Sequence, residues 1–566
     1  MSAIEKGLPV TRLGRHELCA HCLASDGGAM AYGFGEARNL SRLEGEFKRA
    51  GVYHDRRGGA SALVLAAYRL WGENFPRMIE GLVTAAVIDL DASRLILVRD
   101  RMGAYPIYYA RRASCVVFSD DFKRVLDSPF VTREIDKSGL CELFALGPSG
   151  TPGLTPIKDV LALKPGCALI ADYFGLKEKE YFNIYSAPSS DDENTAAEKI
   201  RFLVEDALIR TLPENPAVML SGGLDSSILA YIMKKRGNEV RAWSVEYEHN
   251  DVYYRPNDYQ HDPDGSYVKF ACADLNAQKH IVRIGPEQLA NAIVEAGAAR
   301  GFPGMGDVDS SLMLFARDIA NEEKSILSGE CADEVFGGYP WFHDERLLSM
   351  DGFPWSGSME LRESVLNKKV LDLLNIRQYE AARYHEAVAA KRRLRDVSER
   401  ENRLRLTHAL CFEWFMPVLQ LRADKMCSGE GLKVLTPFCD DRLAQYAYSL
   451  PWEIKNLGGQ PKGILRKAFA DLLPEKILNR RKSPYPKTHH PMYAKAICEM
   501  MAAVLNDASE PVNEICDAES IRKIMSCPLE ANDKPWFGQL MTGAQLIAYL
   551  LQVNSFLKDN NIAVAL

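Results

Sequence analysis

The chain has 566 residues, 47% hydrophobic and 26% charged, with a net charge of −7. That length exceeds one ordinary core and calls for two to four domains. The acidic balance leaves no electrostatic footprint for nucleic acid and no polybasic patch for a membrane surface.

No apolar run reaches the length of a transmembrane helix. The first residues, MSAIEKGLPVTRLGRHEL, lack the apolar centre of a secretion signal. A cytoplasmic location is therefore expected. The thirteen cysteines are scattered without a framework, as suits a reducing compartment. Cys19 and Cys22 are closely spaced but have no second pair nearby, so packing rather than metal binding is expected of them.

In chain order, residues 82–110 predict a strand, a tight turn, a second strand and a third. Residues 186–200 are polar and rich in Ser, Pro and Asp, and read as a linker. A helix follows, with Ser or Asp available to cap it. Beyond the linker, apolar runs at 217–220, 240–247, 279–284 and 324–330 alternate with helical patterns. That alternation predicts a doubly wound parallel sheet of α/β class with helices on both faces. From about 360 onward the pattern is mostly helical. Residues 391–406, KRRLRDVSERENRLRL, predict a charged, solvated helix rather than a nucleic-acid site, because acidic residues interrupt it. Trp341, Phe342, Met492, Tyr493 and the histidines read as packing or surface.

Three stretches carry chemistry. In VMLSGGLDSSILAYIM (218–233) an apolar strand runs into Ser221, Gly222 and Gly223, and a helix starts near Asp225. The glycines allow a tight turn and a close backbone approach. The helix start offers free N–H groups and a positive dipole end. With Ser221, Ser226 and Ser227 as hydroxyl donors, a polyphosphate fits. Asp225 suits such a site when Mg²⁺ accompanies the phosphates. In SILSGECADEVFGGYPWF (325–342) a second strand runs into Ser328 and Gly329, with Glu330, Asp333 and Glu334 crowded together. Carboxylates this close call for a cation, and Asp225 and Asp333 could share Mg²⁺. In NRRKSPYPKTHHP (479–491), Arg480, Arg481, Lys482 and Lys487 gather charge suited to a departing pyrophosphate.

Together with RADKM (422–426), TPFCDDRL (436–443) and KGILRKAF (462–469), these stretches resemble the asparagine synthetase family. The resemblance implies a pyrophosphate-loop ATPase domain over 201–566 that binds ATP and Mg²⁺. It implies that Ser221, Gly222, Gly223, Asp225, Ser226 and Ser227 hold phosphates and metal. It implies adenosine contacts at Val245, Ser328 and Gly329, and a second metal ligand at Asp333. Glu330 is implied near the reacting amine, Lys482 beside the acylation steps, and Asp309 in the stretch that shapes the acyl pocket.

The first part of the chain, 1–185, resembles the same family's glutaminase, an Ntn-hydrolase-like α+β domain. LVRDRMGAYPIYY (97–109) and TPGLTPIKDVLALKPGCAL (151–169) carry that likeness. The chemistry does not follow. Ser2 stands where the family has its nucleophilic Cys, and Phe34 in YGFGEARN (32–39) replaces the oxyanion-hole Asn. Without nucleophile and oxyanion donor, a degenerate, structural domain is expected.

The expected function is an ATP-dependent, AMP- and pyrophosphate-forming carbon–nitrogen ligase. It joins a carboxylic acid, aspartate or aspartate-like, to ammonia or an amine. A separate glutaminase is a possible nitrogen source, and a homodimer a possible assembly. The alternative is a lactam or macrolactam cyclase of the same family. A non-catalytic ATP-binding scaffold and a tRNA-modifying adenylating enzyme fit the intact loops and acidic charge less well.

Overall fold

The computed structural model describes residues 23–113, 115–254, 256, 262–528 and 535–566. Ser2, Cys19 and Cys22 lie outside the described residues. The chain divides into two compact units, each described on its own below. One comprises residues up to Glu134 with Thr151–Ile184; the other comprises Ile135–Gly150 with Tyr185–Leu566.

The first unit is built on a six-stranded antiparallel sheet. Its strands are β1 (Leu23–Ser25), β2 (Ala29–Ala37), β3 (Gly81–Asp89), β4 (Arg94–Val98), β5 (Cys167–Asp172) and β6 (Gly175–Glu180), adjacent in that order. Alternation along each strand sorts the side chains. Val83, Ala85, Val87, Ile96 and Val98 face a core shared with the helices Leu40–Ala50 and Gly59–Trp71. Ala86, Leu95, Leu97, Leu169 and Ala171 face the other way, onto Tyr109, Val116 and Phe118 of a three-stranded sheet. The three strands predicted over 82–110 are present at Gly81–Asp89, Arg94–Val98 and Tyr108–Arg112. Asp100 ties the intervening turn together by accepting from the backbone N–H groups of Met102, Ala104 and Tyr105.

The second unit contains a five-stranded, wholly parallel sheet. Its strands are β7 (Ala217–Met219), β8 (Arg241–Tyr247), β9 (Gln278–Ile284), β10 (Ser325–Leu327) and β11 (Lys433–Leu435), in the spatial order β9-β8-β7-β10-β11. The chain moves outward from β7 through β8 and β9, then returns to lay β10 on the opposite side of β7. Such a reversal leaves a crevice at the carboxyl ends of the two strands where it occurs. Both β7 and β10 end there in a Ser-Gly turn, and Val218 pairs with Leu327.

The stretch read as a linker is partly fixed. Tyr185 N–H donates to the Gln445 side chain, and Ser189 N–H donates to the Ser449 carbonyl. Asp192 then caps the helix Glu193–Thr211 through the N–H of Thr195. The region 391–406 departs from expectation. Residues 391–398 are not helical, and the helix Glu399–Leu410 buries Leu404 and Arg405. Arg405 pairs with Glu401 and donates to the Tyr448 carbonyl, which accounts for a buried guanidinium. Among the described residues, no helix is long and apolar enough to cross a membrane.

Candidate active site

A cavity of about 260 Å³ opens at the carboxyl ends of β7 and β10. Its first wall is the loop after β7. Ser221, Gly223, Asp225 and Ser226 line it, and the helix Leu224–Lys235 begins there. The backbone reverses at Gly222, whose φ is +70°. A Cβ on Gly222 would lie 2.6 Å from Tyr267 Cβ, so glycine is needed for conformation and for space. Gly222 and Ser227 do not line the cavity themselves. Ser227 is wholly buried in the first turn of its helix, and Gly222 shapes the turn from behind.

The loop after β10 forms the second wall, through Ser328, Gly329, Glu330, Cys331 and Asp333. Gly329 allows the two loops to meet. A Cβ there would lie 2.9 Å from Ser226 N and 3.0 Å from Asp225 Cβ. Val245, in the second half of β8, and Ser244 line the adjoining region.

The three neighbouring carboxylates do not gather around one cation. Glu330 turns toward Arg422, whose Nη1 is 3.2 Å from Oε1. Asp333 turns toward two lysines, with Lys462 Nζ 2.6 Å from Oδ1 and Lys482 Nζ 2.6 Å from Oδ2. Glu334 turns inward and accepts from the Tyr339 hydroxyl. Their proton affinities diverge accordingly. Burial would raise Asp333, but the two ammonium groups overcome it and bring its carboxyl down to about 2. Burial and the Asp333 charge raise Glu334 to about 7. Burial raises Glu330 above the usual carboxylate range, with Arg422 opposing.

Lys462 is the central cation, and the sequence reading gave it no role. Its ammonium lies 2.5 Å from Asp225 Oδ2 as well as 2.6 Å from Asp333 Oδ1. KGILRKAF contains it, but nothing local distinguishes it from an ordinary helix-flanking lysine. The basic stretch closes the site from another side. Arg480 donates to the Ser221 carbonyl at 2.7 Å, pairs with Asp264 and stacks 4.2 Å from the Tyr267 ring. Lys482 thereby reaches Asp333 across the loop.

Two further residues complete this side of the site. Asp309 does not line the cavity. It lies one layer behind, wholly buried, 3.3 Å from Arg422 Nε and 3.6 Å from Arg300 Nη1. Its carboxylate thus fixes Arg422, which does line the cavity and also lies 4.7 Å from the Tyr485 ring. Trp341, read as packing, is part of the cavity wall with Tyr339, Phe415 and Leu419. Its ring stacks on Tyr339 at 4.4 Å and meets Phe415 edge-on at 5.4 Å.

The donor set fits a divalent cation carried with phosphates. Asp225 Oδ1 is buried without a hydrogen-bond partner, and Asp333 is held ionised. Hard oxygen donors of this kind, one or two per ion with the rest from phosphate and water, suit Mg²⁺.

Comparison with known proteins shows the family. The family model Asparagine synthase matches residues 199–555, and the model Glutamine amidotransferase domain matches residues 23–182. Asparagine synthetase [glutamine-hydrolyzing] 3 of Bacillus subtilis is 35% identical over 94% of this chain and 87% of its own length. Asparagine synthetase [glutamine-hydrolyzing] 1 of the same organism is 24% identical over 80% and 74% respectively. The asparagine synthetase [glutamine-hydrolyzing] of Gallus gallus is 25% identical over 75% and 66%. The chain belongs to the asparagine synthase family: it is an ATP-dependent, amide-forming carbon–nitrogen ligase, with an Ntn-type glutamine amidotransferase domain ahead of its parallel-sheet synthetase domain.

Proposed function

We propose that the second unit activates aspartate or an aspartate-like acid as its acyl-adenylate and passes the acyl group to ammonia or an amine. The observation that carries this reading is the convergence of Asp225, Asp333, Lys462 and Lys482 on the rim between β7 and β10. That rim also presents the start of the helix Leu224–Lys235, whose free N–H groups suit phosphate oxygens.

Ser221, Gly223 and Ser226 face the phosphates. Val245, Ser328 and Gly329 contact the nucleoside, and Gly222 and Ser227 support the loop. Asp225 and Asp333 would hold Mg²⁺, which would supply positive charge against the phosphates. Lys482 and Lys462 stabilise the negative charge that builds on the leaving pyrophosphate, a contribution made by fixed charges rather than by bond-making. Arg480 keeps the loop shape by its bond to the Ser221 carbonyl. In the second half-reaction an amine attacks the acyl carbonyl, and Glu330 accepts the proton it sheds. Its carboxyl, raised by burial, lies nearer the operating pH than an ordinary glutamate, as a general base requires.

The nitrogen comes from outside the chain. Phe34 supports this, because it occupies β2 opposite Thr84 with its ring 5.2 Å from Tyr105. An aromatic ring there offers no amide donor to an oxyanion. The relatives are named glutamine-hydrolysing, so the test compares ammonium with glutamine as sole nitrogen source, using the purified chain. Amide formation with ammonium or an amine, and none with glutamine, is expected. Glutamine-driven amide formation would overturn the external source.

The aromatic wall of Tyr339, Trp341 and Phe415 favours a second reading. Aspartate has no apolar body to bury there, whereas a larger acid carrying its own amine does. A lactam formed without added amine would select that reading.

A further inference from the structure

The cavity has two unlike sides. Ser244 and Val245 reach it from β8, on one flank of β7, and this is the nucleoside side. The other side is built by the chain that follows β10 and by the helix that precedes β11. Tyr339 and Trp341 come from the first, Phe415 and Leu419 from the second.

Phe415, Leu419 and Arg422 stand at spacings of four and then three along the helix Met416–Ser428 and the residue before it, so they share one face. All three line the cavity. Arg422 meets Glu330 at 3.2 Å. At the α-helical rise, Leu419 and Phe415 lie about 4.5 and 10.5 Å along the axis from Arg422. The apolar face therefore starts at the partner of Glu330 and runs away from it. The Phe415 ring is held by Tyr339 at 5.3 Å and by Trp355 at 5.1 Å, between centroids. Gly538 and Leu540, from a tight turn, also line the cavity. Gly538 N–H donates to the Trp355 carbonyl and Trp536 N–H to the Met541 carbonyl, each at 2.8 Å, so the turn is fixed to the same aromatic cluster.

Ammonia has no body to lay on such a surface, and aspartate has a single methylene between charged groups. An apolar wall of this extent suits the other organic substrate.

We propose that the nitrogen donor is a primary amine on an aromatic or branched apolar body, which lies against Phe415, Leu419 and Leu540 with its nitrogen at Glu330. The inference rests on the reading of this cavity as an acid-activating site with Glu330 as proton acceptor, and it names the class of amine. The nitrogen lone pair forms the new C–N bond. The C–O bond to AMP breaks, its electron pair leaving on the phosphate, and the proton shed by nitrogen passes to Glu330. The products are an N-substituted amide and AMP.

The test titrates the full-length chain, with Mg-ATP and no acid, against 2-phenylethylamine and methylamine by calorimetry. The two probes share a primary amine and differ in the apolar body. 2-Phenylethylamine is expected to bind at least about tenfold more tightly, because its ring leaves water. With acid added, it should form amide with kcat/KM at least about tenfold above that of methylamine. Leu419→Ala, at a half-buried position, is expected to lower both ratios about tenfold, mainly through Kd and KM rather than kcat. Leu540→Ala, on the separate turn, is a second variant with the same expectation.

Acid-dependent exchange of pyrophosphate into ATP, run alongside, separates the two ideas. Exchange without preference between the amines would overturn the proposal and leave the activation reading standing. Amine preference that neither variant lowers would also overturn the proposal, as would a lactam formed with no amine added. Tight, variant-sensitive binding of 2-phenylethylamine without exchange would support the amine site and overturn the activation reading.

Discussion

Asp225 and Asp333, at the starts of the separate helices Leu224–Lys235 and Ala332–Phe336, hold the same ammonium group, that of Lys462, at 2.5 and 2.6 Å. Lys462 is 3% exposed, so its charge is compensated by those carboxylates rather than by water. Removing one member of a buried ionic cluster leaves the others uncompensated. Lys462→Met is therefore expected to lower unfolding free energy by about 3 kcal/mol in the absence of ligand. Denaturant titration measures this. A change near zero would show that the cluster has no net structural role.

In the mechanism proposed above, Glu330 acts in the second half-reaction and not in the first. Its raised carboxyl must be ionised to accept a proton, so amide formation should rise with pH through that raised pKa and fall on the acid side. Asp333, brought to about 2, stays ionised over the same range and adds no acid limb to adenylation. Glu330→Gln is expected to cut amide formation by about 10²–10⁴ and to remove the acid limb. Acid-dependent ATP–pyrophosphate exchange should persist. Comparable loss in both assays would place Glu330 in adenylation instead.

Gly329 lies where the loop after β10 meets the loop after β7. In Gly329→Ala the added methyl meets Ser226 N and Asp225 Cβ at 2.9 and 3.0 Å, both on the backbone side of a helix start that cannot easily yield. Overpacking of this kind costs about 1–3 kcal/mol. The cost should appear as weaker Mg-ATP binding, by calorimetry, more than as loss of fold. Wild-type affinity would show that the loops move apart freely.

Lys455 and His408 give a pH signature away from the cavity. Their side chains hydrogen-bond at 3.0 Å, and both are buried. Burial lowers Lys455 to about 7 and brings His408 well below its usual value, with the Lys455 charge adding to it. The native state therefore binds fewer protons than the unfolded state between about pH 7 and the ordinary lysine value of about 10.4. Stability from this group rises with pH across that window and is lost as pH falls toward 7. Lys455→Met should flatten the slope, as measured by denaturant midpoints from pH 7 to 10. An unchanged slope would place the titration elsewhere.

The parts of the fold legible in the sequence are those coded locally. Strands that end in Ser-Gly and feed a helix write their turn, donors and helix start within a dozen residues, as in VMLSGGLDSS and SILSGECADE. Non-local relations left no such mark. Strand β11 is only Lys433–Leu435, too short to show alternation, and owes its place to pairing with β10. Lys462 becomes central only because the fold delivers it between two distant carboxylates. The resemblance implied that the stretch holding Asp309 shapes the acyl pocket; only the fold reveals that its side chain acts there through Arg422. Glu399–Leu410 looked solvated because charge pattern does not reveal that Arg405 finds carbonyl partners inside. Trp341 looked like packing, and it does pack; that the other side of the same cluster borders a cavity is a property of the folded unit.

The central claim is that the rim between β7 and β10 makes a carboxylic acid electrophilic by releasing pyrophosphate, with Lys482 2.6 Å from Asp333 as one of the cations that stabilises the departure. The direct measurement is acid-dependent exchange of labelled pyrophosphate into ATP, with AMP as the other product once an amine is added. The account predicts exchange with aspartate or a related acid, lowered by about 10²–10³ in Lys482→Ala. Release of ADP and phosphate, or exchange unaffected by Lys482→Ala, would contradict it.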